Sequence, residues 1–242
     1  KQPGTVAIVR HDPQKDTTKT VQVERTGRDF AFDSASTPMD TGGVGSGELP
    51  STDGIYNVTK SNKYPWTAVG RLTGINSSDV TSRCTATLIE DNHILTAAHC
   101  VYEDDREKFL HNFRFKPAQN GNYEPYSYPI EYVQVYKSYT PKGTDPGRRD
   151  IAVLTLSRPI AEETGTFAFD SFSPSNDVYG TGLRLTGYPS RTDADYVEVA
   201  GSMWHIGLNG KEFANVANCT GQECLMADST YLGEYPKGGT SG

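Results

Sequence analysis

Apolar residues in this chain come in short runs of four to six, alternating with or bounded by turn residues, and such runs read as β-strands. The clearest are Thr67 to Leu72, Cys84 to Ile89, His93 to Thr96, Tyr132 to Tyr136, Ile151 to Leu156 and Gly182 to Thr186. One short helix is expected, from Ala97 to Tyr102. There are no heptads and no internal repeat of 20 to 50 residues. Strands this close together, without long helical patterns between them, predict an all-β barrel or sandwich. The first 54 residues have a different texture. Val6 to Val9 and Thr20 to Val23 read as two strands around the Asp12-Pro13 turn signal. Beyond Phe32 the chain turns small and polar, with Gly42-Gly43-Val44-Gly45-Ser46-Gly47, a composition that buries too little surface to order itself. Residues 1–54 are therefore read as an N-terminal arm or prosegment made of a β-hairpin and a Gly-rich linker, and residues 55–242 as the main domain.

Composition narrows the class. The 242 residues suit one domain with an extension. With 24 Gly, 14 Pro and 14 Tyr, the chain is turn-rich. A formal net charge of −7 disfavours a general nucleic-acid binder. No apolar run is long enough to span a membrane. Lys1-Gln2-Pro3-Gly4 is not a secretory leader, so the chain reads as a processed form.

The four cysteines form two spaced pairs, Cys84 with Cys100 and Cys219 with Cys224. An even, sparse count fits a secreted protein with two local bridges, although four cysteines allow three connectivities. Neither pair has CxxC spacing, so no metal site is expected. Asn57, Asn76 and Asn218 head N-x-S/T sequons and are candidate glycosylation sites. The acidic run Glu103-Asp104-Asp105, with Glu107, lacks the ligand alternation and central Gly of a calcium loop and reads as solvated.

Three segments carry candidate chemistry. In Thr96-Ala97-Ala98-His99-Cys100, a histidine follows a strand and sits among small residues that permit a sharp turn. If Cys84 bonds Cys100, the closed loop adds about 3 kcal/mol and fixes the imidazole, as a general base requires. Asp150 stands directly before the apolar run Ile151 to Leu156, where a carboxylate can reach a histidine nitrogen and hold its tautomer. In Gly238-Gly239-Thr240-Ser241-Gly242, glycines beside a serine allow a tight turn whose Gly239 and Ser241 amides converge as an oxyanion hole.

The order His99, Asp150, Ser241 excludes the Ser-Asp-His order of α/β-hydrolases. On TAAHC, the Asp150 segment and GTSG, residues 64–242 resemble the chymotrypsin-like serine proteases. Tyr64-Pro65-Trp66, Gly187-Tyr188-Pro189, Met203-Trp204 and Gly238 to Gly242 make them more similar to the glutamyl endopeptidase branch. The resemblance implies two six-stranded antiparallel β-barrels with a cleft between them. It implies His99 as general base, Asp150 as its orienting carboxylate, Ser241 as nucleophile, and no cofactor. The expected activity is that of a secreted serine endopeptidase acting on protein or peptide substrates, read here as a precursor with a processing site between about Gly43 and Gly54. The runner-up is a catalytically silent protease-fold binding protein.

The sequence also departs from the family's pattern. Thr240 replaces the Asp that pairs with a freed N-terminus in pancreatic-type enzymes. Tyr235 occupies the position of trypsin's pocket Asp. Pro236 stands where the glutamyl branch carries Thr. Family members continue beyond the serine, so the second barrel is expected to be incomplete in this chain, with a separate C-terminal chain as a candidate partner to complete it.

Overall fold

A computed structural model describes residues 4–24, 54–121, 123, 125–140, 149–168, 183–188, 201–208, 213–216 and 224–227. The strands in chain order are β1 (Thr5–Asp12), β2 (Thr17–Glu24), β3 (Gly54–Asn57), β4 (Val69–Ile75), β5 (Thr81–Glu90), β6 (His93–Thr96), β7 (Tyr102–Glu103), β8 (Lys108–Phe109), β9 (His111–Pro117), β10 (Tyr128–Tyr136), β11 (Ala152–Leu156), β12 (Leu183–Gly187), β13 (Trp204–Leu208), β14 (Phe213–Val216) and β15 (Cys224–Ala227). A single-turn helix, α1 (Ala161–Thr164), follows β11. Among the described residues no helix is long and apolar enough to cross a membrane.

Strands β4, β5, β6, β11, β10 and β9 pair in that order, all antiparallel, and β9 returns to β4. The result is a closed six-stranded barrel, which leaves no open edge in the ring. Alternation places Leu72, Leu88, Ile94, Phe115, Val133, Leu154 and Leu156 inside, each at most 2% exposed. Gly70 lets β4 approach β9 closely, since a Cβ there would lie 2.2 Å from the Phe115 ring.

The expected strands at the N-terminus form a hairpin, with β1 and β2 in register from Thr5↔Glu24 to Asp12↔Thr17. Its turn is held by Asp12, whose Oδ1 accepts the amides of Gln14 and Lys15 at 3.0 and 3.1 Å. The hairpin does not stand apart from the barrel: β1 pairs with β10 from Ile8↔Tyr136 to His11↔Val133. The Gly-rich stretch that follows lies outside the described residues.

Strands β12, β13 and β3 form a three-stranded antiparallel sheet, and β14 pairs with β15. These belong to the half where a second barrel was expected, and among the described residues they do not close into one. A second apolar cluster, Val58, Trp66, Val69, Tyr188 and Met203, lies between this sheet and the barrel. The expected helix from Ala97 to Tyr102 shrinks to one 3-10 turn, Ala98–Cys100. Cys100 is tied to β5 and Tyr102 already pairs with Phe109, so the chain cannot wind further.

Candidate active site

The barrel's register brings the first two candidate residues together. Strand β11 pairs with β6 through Ala152↔Thr96, so extending the ladder by two positions sets residue 150 opposite residue 98. Strand β6 is held to β5 there by Thr96, whose hydroxyl donates to the Thr85 carbonyl at 2.8 Å. Ala97 is extended and the chain then tightens into the 3-10 turn, with the Cys100 amide donating to the Ala97 carbonyl. Ala98 is fully buried, so a small side chain is required at this point. The Cys84–Cys100 disulfide anchors the end of the turn to β5.

His99 emerges from this turn and meets Asp150 twice. Its Nδ1 lies 2.6 Å from Asp150 Oδ2, and its backbone N–H donates to Oδ1 at 2.8 Å. An ionised carboxylate only accepts hydrogen bonds, so Nδ1 carries the imidazole proton and Nε2 is left as the acceptor. Two contacts from one residue fix both the position of the carboxylate and the plane of the ring. The His99 side chain is 46% exposed, which leaves Nε2 open to a reactant. Tyr139 is buried beside the pair, and its phenol is pushed up to about 12, first by burial and then by the Asp150 charge. It therefore stays a neutral neighbour of the carboxylate at working pH.

Further contacts support the pair and the joint between barrel and second sheet. Arg149 Nη1 donates to Ser138 Oγ at 2.9 Å, and its guanidinium lies 5.5 Å from the centre of the Tyr136 ring. Tyr188, in the Gly187-Tyr188-Pro189 motif, donates its amide to Thr85 Oγ1 at 3.0 Å, joining the second sheet to the barrel at β5. Asn120 bridges the same joint, donating Nδ2 to the Val58 carbonyl and accepting the Met203 amide at 3.0 Å. Tyr188 was signalled by its motif and Arg149 by its adjacency to Asp150, whereas Ser138 and Asn120 carried no signal in the sequence.

Ser241, Gly239 and the rest of Gly238 to Gly242 lie outside the described residues, as do Tyr235, Pro236, Asn218 and the Cys219–Cys224 pairing. Of the other sequon residues, Asn57 sits in β3 opposite Trp204, and Asn76 turns the chain between β4 and β5, its Oδ1 accepting the Ser78 and Val80 amides. Among the described residues, Cys84, His99 and Cys100 are the one cluster with metal-ligand atoms close together. Its two sulfurs are bonded to each other, so they offer no thiolate for a metal.

Comparison with known proteins bears on the fold and the family. A glutamyl endopeptidase of Bacillus licheniformis is 30% identical over 159 residues, which cover 64% of this chain and 45% of that protein. An extracellular metalloprotease of Bacillus subtilis is 24% identical over 157 residues, covering 63% of this chain and 46% of that one. The chain thus spans under half the length of the curated relatives it matches. Among solved structures, a Glu endopeptidase in complex with MPD superposes with a TM-score of 0.53 at 24% identity, over 67% of this chain and 70% of that one. A thermostable serine protease from an extremophile gives 0.50 at 18% identity, over 73% and 76%. Both likenesses concern the fold. Nothing among the comparisons supports a separate C-terminal chain as a partner. The sequence profile of the trypsin family matches residues 55–229, a stretch that takes in the barrel, the His99–Asp150 pair and the second sheet, and the chain belongs to that family.

Proposed function

We propose that this protein is a serine endopeptidase in which His99, Asp150 and Ser241 act as a triad. The observation that carries the reading is the double contact of Asp150 with His99, through Nδ1 at 2.6 Å and the backbone amide at 2.8 Å. Asp150 holds the imidazole in the tautomer whose Nε2 can take a proton. Ser241 Oγ loses that proton to Nε2 as it attacks the substrate carbonyl carbon, and the Gly239 and Ser241 amides receive the oxyanion. The imidazolium then protonates the leaving amine. Water, deprotonated by the same Nε2, hydrolyses the acyl-enzyme and regenerates Ser241.

We also propose that the protein is secreted, carries glycans at its sequons, and is made as a precursor cleaved between about Gly43 and Gly54. Gly54 already pairs with Gly207, so cleavage just before it would leave β3 intact at the new terminus. No acidic P1 preference is proposed, because Pro236 replaces the Thr of the glutamyl branch.

The test is cleavage of a peptide library by the full-length processed protein. Peptide bonds are expected to be cut, with Ser241→Ala lowering the rate on the order of 10⁶-fold. An unchanged rate in Ser241→Ala would reject the triad.

A further inference from the structure

Strand β10 shares one edge between two partners. Tyr128 and Pro129 pair with β9, while Val133 to Tyr136 pair with β1; β11 takes the other edge. Without β1, that part of the edge would present unpaired backbone groups beside the buried Val133 and Val135. The inward face of β1 completes the core at this point. Val9, opposite Val135, is 3% exposed and belongs to the barrel cluster. His11, opposite Val133, is buried, stacks on Phe109 at 4.4 Å and shares a hydrogen bond with Thr18 Oγ1. The stretch after the hairpin is anchored at both ends: Glu24 pairs with Thr5, and Gly54 with Gly207. A cut between these anchors leaves both ladders whole.

The docked hairpin also reaches the active site. The Lys137 amide donates to the Ala7 carbonyl of β1 at 2.9 Å, fixing the first residue beyond β10. The chain then turns on itself, with the Tyr139 amide donating to the Tyr136 carbonyl and the Thr140 amide to that of Lys137. Ser138 in this turn accepts Arg149 Nη1, and the Tyr136 ring lies beneath the same guanidinium. Arg149 is the covalent neighbour of Asp150. One continuous set of contacts therefore runs from β1 through the turn to the carboxylate that orients His99.

We propose that the β1–β2 hairpin is a retained, working part of the catalytic domain. It stays docked on β10 after the linker is cut, and through the Tyr136–Thr140 turn and Arg149 it positions Asp150. Ser138 and Arg149 are then positioning residues for the triad. The inference rests on the reading of Asp150 as the partner of His99.

The experiment places a recognition site for a sequence-specific protease between residues 34 and 46 of the full-length protein and cuts it after folding. The N-terminal fragment is expected to co-elute with the remainder on native size exclusion, to separate only in denaturant, and to leave kcat unchanged. A fragment that leaves under native conditions overturns retention. Positioning is tested separately. Arg149→Ala is expected to lower kcat about 10- to 100-fold with KM little changed, the size of effect that small misplacements of a catalytic group produce. Arg149→Lys, which keeps a donor for Ser138, should recover part of the loss. Full kcat in Arg149→Ala, with only a lower melting temperature, overturns positioning. If the processed protein cleaves no peptide, the triad reading fails, and the co-elution result still decides retention.

Discussion

The barrel and the three-stranded sheet β12-β13-β3 meet along β4 and β5, but they are held in different ways. The barrel is closed by its own ladders around side chains such as Leu72, Phe115 and Leu154, which bury almost completely. The sheet is fastened to the barrel by a smaller apolar cluster and by polar clamps, from Asn120 to Val58 and Met203 and from Thr85 to Tyr188. Apolar packing is non-directional and tolerates small shifts, whereas hydrogen bonds fix angle and distance. The barrel therefore supplies stability and the His99–Asp150 pair, and the clamps set how the second sheet sits against the barrel.

The largest expected effect is chemical and belongs to the barrel's rim. Asp150→Asn keeps the shape but removes the acceptor that fixes the tautomer, so kcat should fall on the order of 10⁴-fold with the fold intact by circular dichroism. A loss under tenfold would remove Asp150 from the triad.

Next in size is a cavity in the barrel. Leu154→Ala should cost about 2–5 kcal/mol in denaturant unfolding, because the surrounding ladders cannot collapse onto the space. Asn120→Ala attacks the joint instead. It leaves the Val58 carbonyl and the Met203 amide without their side-chain partner, which should cost about 1–3 kcal/mol. It should also lower kcat more, per unit of lost stability, than Leu154→Ala does. Equal kcat values for the two variants at full folding would erase the distinction between barrel and joint.

The smallest effect concerns pH. Burial pushes the His11 imidazole below its ordinary range, with the Asp16 and Asp12 charges pulling part of the way back. The folded state thus binds fewer protons than the unfolded one. The stability from neutral His11 is present above the unfolded value, about 6.5, and is lost as pH falls below it. Melting temperature should drop between pH 7.5 and 5.5, and the slope should be shallower in His11→Phe. An identical slope in that variant would show that His11 plays no part.

Much of the barrel was legible in the sequence because its strands are short and alternate. The run His93 to Thr96 coincides with β6, and both hairpin strands fall where Val6 to Val9 and Thr20 to Val23 were read. Strand β9 was missed even though Phe113 and Phe115 alternate with Asn112 and Arg114, since two apolar residues make a weak period. The docking of β1 on β10 had no local signal at all, because it pairs residues more than 120 positions apart. His99 and Asp150 were legible for a different reason: small residues before the histidine and an apolar strand after the aspartate mark the places where the backbone must deliver them. Asn120 and Ser138 are ordinary loop residues in sequence and acquire a role only through partners far along the chain.

Activation of Ser241 by the His99–Asp150 pair makes that serine uniquely reactive towards a phosphonylating probe. The most direct test is mass-spectrometric mapping of a fluorophosphonate adduct on the full-length processed protein. One adduct is expected, on Ser241, with labelling strongly slowed in His99→Ala. An adduct at another residue, or labelling of Ser241 at an undiminished rate in His99→Ala, would contradict the account.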